Sequence, residues 1–131
     1  MKSRYEGLQN RLWGIREGCF FITLLSIAEE FNRRPVDFVD AVNMSFAKGW
    51  VKPDYTVVND TAILSWLTGR KVTKEVVDRC GVVKGNQYSV AKHVNREGTA
   101  YHFRRRYFDV YEGSVTVRDG HVMCYYIYTI G

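Results

Sequence analysis

The stretch Gly18-Cys19-Phe20-Phe21-Ile22-Thr23-Leu24-Leu25-Ser26-Ile27-Ala28 decides how the chain is read. Phe21, Leu24, Leu25, Ala28 and Phe31 recur at spacings of three and four, the period of a helix with an apolar stripe. The apolar run from Cys19 to Ile27 is broken by Thr23 and Ser26 and ends against Glu29 and Glu30. It falls far short of the roughly 18 residues that cross a bilayer, so it predicts a core helix and no membrane span. Arg33 and Arg34 suit the negative end of that helix, and Pro35 forbids its continuation.

Outward from this helix the chain divides in two. Pro35 fits the first turn of a second helix bearing Val39, Val42 and Phe46, with Gly49 as its stop. After a short β-prone piece, Tyr55 to Val58, Asn59 is placed to cap a third helix holding Ile63, Leu64 and Leu67, which Gly69 ends. From Lys71 the period shifts toward two. Val72–Val77, Gln87–Val94, Thr99–Arg104, Tyr107–Tyr111, Ser114–Arg118 and His121–Tyr128 read as strands. Asp119-Gly120 is the strongest hairpin signal, pairing Arg118 with His121 and Thr116 with Met123. Helices first and strands afterwards predict an α+β fold, with N-terminal helices packed on a C-terminal antiparallel sheet.

Composition narrows the class. At 131 residues with 46% hydrophobic and 15% aromatic side chains, the chain predicts one domain, residues 1–131, with a real core. Such a composition argues against disorder. Three cysteines, Cys19, Cys80 and Cys124, are odd in number and widely spaced, so neither a disulfide framework nor a CxxC metal site is expected. A reducing compartment follows. The first residues lead into no apolar segment with a cleavage site, so no signal peptide is read and a cytoplasmic location is expected.

Cys19 is the first candidate for chemistry. A thiol at a helix start, just after a glycine, meets the positive end of the helix dipole and free backbone N–H groups. Both favour thiolate, and the same N–H groups can receive an oxyanion. The competing reading is a small buried hydrophobe. A thiolate nucleophile needs a base, and the histidines are His93, His102 and His121. His121 follows the expected hairpin turn and reads as exposed. His102 is raised above His93 by Asp109. If Tyr101–Arg104 and Tyr107–Val110 form a hairpin, His102 pairs with Asp109 on one face, and the carboxylate fixes the imidazole. Asp119 is the other acid in reach, but Asp-Gly is better read as turn chemistry. Cys80 and Cys124 read as structural.

These residues carry a resemblance. Gly18-Cys19-Phe20-Phe21-Ile22-Thr23-Leu24-Leu25 resembles the nucleophile helix of the papain-like cysteine peptidase superfamily. Tyr101-His102-Phe103 resembles its His strand, and Phe108-Asp109-Val110-Tyr111-Glu112-Gly113-Ser114 its acid strand and turn. The compact bacterial and phage members, of the bacteriocin-processing double-glycine peptidase type, are the most similar. The resemblance implies a papain-like fold and hydrolysis of a peptide or related bond in a peptide or protein substrate. It implies Cys19 as nucleophile, His102 as base and Asp109 as orienting acid, with no cofactor. The family's oxyanion glutamine would fall on Gln9, ten residues before Cys19. Phe20 stands where many members have glycine, and Val110 where many have proline. A catalytically inactive module on the same fold, engaging a protein partner, is the alternative.

No Cys and His stand at metal-ligand spacing, and neither a phosphate loop nor HExxH is present. The net charge of +5 permits contact with nucleic acid without requiring it. Arg104-Arg105-Arg106 among Tyr101, Phe103, Tyr107 and Phe108 mixes guanidinium groups with rings, as single-strand sites do. Packed aromatics and a solvated hairpin tip explain the same pattern more simply. Nucleic acid is therefore the third reading, and Arg105 and Arg106 are placed at a substrate rim that selects acidic groups.

Overall fold

The computed structural model describes residues 18–81, 83–105 and 114–131. Three helices come first: α1 (Gly18–Asn32), α2 (Phe38–Ala47) and α3 (Asp60–Thr68). β1 (Val72–Val77), β2 (Gln87–Val94), β3 (Tyr101–Arg104), the short α4 (Val115–Asp119) and β4 (His121–Ile130) follow. The strands form one antiparallel sheet in the order β1-β4-β2-β3. The α+β expectation, helices first and an antiparallel sheet after, holds for the described residues.

α1 is the centre of the core. Every residue from Gly18 to Glu29 is buried, so the helix is enclosed on all sides instead of along one stripe. Thr23 and Ser26 do not open a polar face, because their hydroxyls donate to the carbonyls of Cys19 (2.7 Å) and Thr23 (2.6 Å). On the sheet side Phe20 stacks on Phe103 with ring centres 4.1 Å apart and leans on Tyr126. On the other side Phe21 meets Phe38 and Tyr55 edge-on. Arg33 in the left-handed region (φ 58°) and the bond from Arg34 N–H to Glu29 O end the helix. The Glu29 carboxylate accepts from Val36 N–H across the turn at 3.2 Å.

Local signals explain the helix ends. Asn59 accepts from Ala62 N–H at 3.1 Å, and Gly69 closes α3 at φ 67°. One boundary differs: α2 starts at Phe38, capped by the Asp37 carboxylate, and Pro35 lies in the preceding loop. The cap satisfies Asp40 N–H at 3.0 Å, whereas a start at Pro35 would put Arg34, which has no side-chain acceptor, at the cap.

A second difference concerns Ser114–Arg118, expected as a strand paired with His121. Val115–Asp119 is a helical turn, with Arg118 N–H donating to Ser114 O and Gly120 N–H to Thr116 O. Gly120 is extended (φ −96°, ψ −152°), whereas the expected turn needs positive φ. The hairpin register would bring Ser114 to Tyr125, where β1 already pairs through Val77. The hydrogen bonds of a helical turn here replace the strand that the β-branched Val115, Thr116 and Val117 suggest.

A buried polar contact ties α3 to the sheet. The Tyr128 hydroxyl donates to Asp60 Oδ2 at 2.6 Å, Lys74 Nζ lies 2.7 Å from the same oxygen, and that ammonium sits 3.8 Å from the Tyr126 ring centre. Burial, then the Asp60 charge, pushes the Tyr128 hydroxyl far above its ordinary range. A raised phenol stabilises the fold fully below the unfolded value of about 10, and that stability is lost as pH rises beyond it. Tyr128→Phe should cost about 1–2 kcal/mol at neutral pH. Above about pH 10 it should lessen the fall of stability by up to about 1.4 kcal/mol per pH unit. Urea unfolding at several pH values reads both effects, and parallel alkaline limbs would refute the second.

Candidate functional site

Cys19 lies in the first described turn of α1 and is 4% exposed. It belongs to the apolar cluster that includes Phe20, Phe21 and Leu24. Gly18 is the first residue described, so the chain leading into α1, with Gln9, lies outside the described residues.

His102 lies on β3, the edge strand against which α1 packs. The Thr23 hydroxyl reaches Phe103 O at 3.5 Å, and the Phe20–Phe103 stack joins the residues next to Cys19 and His102. Helix and strand are therefore brought together at the level of the two candidates. Their side chains take different directions. Phe103 points to α1, so strand alternation turns His102 to the other face of β3, opposite His93 across the ladder. Both histidines are buried, at 6% and 8% exposure. His121, by contrast, is exposed, as expected. Asp109 and Arg106 lie outside the described residues, and so does the expected His102–Asp109 pairing.

Arg105 clamps β3 to α1. Its guanidinium lies 3.0 Å from Glu30 Oε1, donates to Ser26 Oγ at 3.3 Å, and sits 5.5 Å from the Tyr88 ring centre. Burial, and then the Glu30 charge, raises the Tyr88 phenol, while Arg105 partly offsets both.

The sheet face turned away from α1 holds a cavity of about 580 Å³. Its floor comes from the alternation of β2, which presents Ser89, Ala91 and His93 there. Arg104 on β3 and Tyr125 on β4 both pair with Ala91, so two long side chains flank a small one in a single rung. Cys80 and Val83, from the chain between β1 and β2, complete the wall. The sequence names Arg104 only as part of the basic run Arg104-Arg105-Arg106 and places the substrate rim on Arg105 and Arg106. The available signal was small Ser89 and Ala91 alternating through an otherwise bulky strand.

Among the described residues no group of three or more His, Cys, Asp or Glu is arranged to hold a metal ion. Nor is any helix among them long and apolar enough to cross a membrane. In comparison with known proteins, no family model, no curated protein and no solved structure matches the chain.

Proposed function

We propose that the protein is a thiol hydrolase of papain-like architecture that cleaves a peptide or related amide bond, with Cys19 as nucleophile and His102 as base. The observation that carries this reading is the α1–β3 junction, where the neighbours of Cys19 and His102 stack on each other at 4.1 Å. A nucleophile on a buried central helix and a base on the strand it packs against are the two elements the reaction needs side by side, with the side chains within hydrogen-bond reach.

In the proposed reaction the Cys19 thiolate attacks the carbonyl carbon and His102 holds the proton. The tetrahedral oxyanion is received by the Cys19 backbone N–H, joined by the Gln9 amide. Collapse breaks the C–N bond as His102 gives its proton to the leaving amine. Water, deprotonated by His102, then releases the acyl group and restores the thiol. Asp109 orients the imidazole. In the structure His102 lies on the face of β3 away from α1, so the reaction requires a bulge or one-residue slip of this edge strand to bring the ring to the α1 side.

A second reading has its own observation: Cys19 sits in the apolar cluster while His102 faces His93, the arrangement expected of an inactive module of the same fold that engages a protein partner. Iodoacetamide labelling of Cys19 as a function of pH, read by mass spectrometry, separates the two. The hydrolase reading expects fast labelling near pH 6, about tenfold or more above Cys80 and Cys124, with this low-pH limb absent in His102→Ala. Labelling only above about pH 8, as for an ordinary thiol, or none at all, overturns it in favour of the inactive module.

A further inference from the structure

We propose that the cavity on the sheet face away from α1 binds the carboxylate of a small ligand with an apolar body, held by Arg104. This inference is independent of the hydrolase reading, since it uses neither Cys19 nor His102.

Three observations carry it. First, Arg104 is half-buried and, among the described residues, has no ion pair and no side-chain hydrogen bond, although Arg105 beside it is engaged by Glu30 and Ser26. A guanidinium drawn from bulk water without a counter-charge is costly, and an anion removes that cost. Second, no Asp or Glu stands among the described lining residues, so nothing there competes for the charge. Third, the lining matches a molecule with one charged end. Val83, Ala91, Val122 and Tyr125 supply apolar surface to the lining, while Arg104 and Ser89 are polar residues of it.

The chemistry selects a carboxylate. Among the described lining residues Arg104 is the arginine without an ion pair, since Glu30 engages Arg105, and a single guanidinium matches a carboxylate's single charge through two parallel N–H···O bonds. The volume of about 580 Å³ lies within the ordinary range for small-molecule sites. Ala91 is what makes the space: it pairs with both Arg104 and Tyr125, so a large residue at that position would fill the floor between them.

The ligand's carboxylate could come from a free acid or from a peptide C-terminus, and two probes separate these sources. Isothermal titration would use 4-phenylbutyrate, the matching 4-phenylbutanol, and a tripeptide ending in Phe as free acid or as amide. Amide chemical shifts of Ser89, Ala91 and Tyr125 would report the location. Binding of either acid, with its neutral counterpart and the Arg104→Gln protein each at least tenfold weaker, is the expected result. The tighter of the two acids identifies the source. Arg104→Lys should recover only part of the loss, because an ammonium cannot make the paired bonds. Ala91→Trp should abolish binding while leaving Cys19 labelling unchanged, which separates failure here from failure of the hydrolase reading. Equal affinity for acid and neutral probe, unchanged affinity in Arg104→Gln, or no shift at the three amides up to about 10 mM of either acid would overturn the proposal.

Discussion

Phe21→Ala is expected to lower the free energy of unfolding by about 3–5 kcal/mol. Phe21 has no exposed surface, and its ring meets Phe38 of α2 and Tyr55 of the following loop edge-on at 6.3 and 6.0 Å. Truncation removes the ring's burial and leaves a void in a core that cannot close on it, because Ile22, Leu24 and Leu25 on the same helix are themselves fixed in full contact. A domain of this size has about 5–15 kcal/mol in total, so the variant should keep only a fraction of its stability. Urea unfolding followed by circular dichroism measures it. A midpoint within error of wild type would mean that the core is not built around α1.

Gly120→Ala is expected to cost about 3 kcal/mol or more, for a different reason. A methyl group there would run into the carbonyl oxygens of Val94 and Thr116. Neither can yield cheaply. Val94 is held in the β2–β4 ladder opposite His121, and Thr116 O already accepts from Gly120 N–H at 3.1 Å. The substitution therefore separates α4 from the end of β2 or breaks the first rungs of β4. Hydrogen exchange at Gly120, His121 and Val122 should rise well before global unfolding. An alanine variant with wild-type exchange and midpoint would show that the chain does not approach Val94 so closely.

Much of the fold is legible in local residues because each signal acts over a few positions. Asn59 and Gly69 bracket α3 through their own hydrogen bonds and backbone angles, and the period-two runs Val72–Val77 and Gln87–Val94 are the observed β1 and β2. Ser114–Arg118 was misread for the opposite reason. Its strand propensity is real, but β1 already pairs at Tyr125 through Val77, forty-eight residues earlier in the chain, and the segment instead closes a helical turn against the end of β2, contacts no local window contains. The candidate site divides in the same way. Cys19 as part of a buried helix and His102 as part of a strand follow from periodicity alone. Which face His102 takes depends on Phe103 stacking on Phe20, a contact across eighty-three residues.

The order of elements, the apolar helix and the residue types able to do chemistry are readable along the chain, because helix and strand periods and caps act over a few residues. That α1 is enclosed on all sides, that Arg105 is taken up by Glu30, and that Arg104, Ala91 and Tyr125 share one rung beside a cavity emerge only once distant segments pack together. The physical reason is strand pairing. Register between β3, β2 and β4 is set by pairing among segments distant along the chain, and it assigns each side chain to a face.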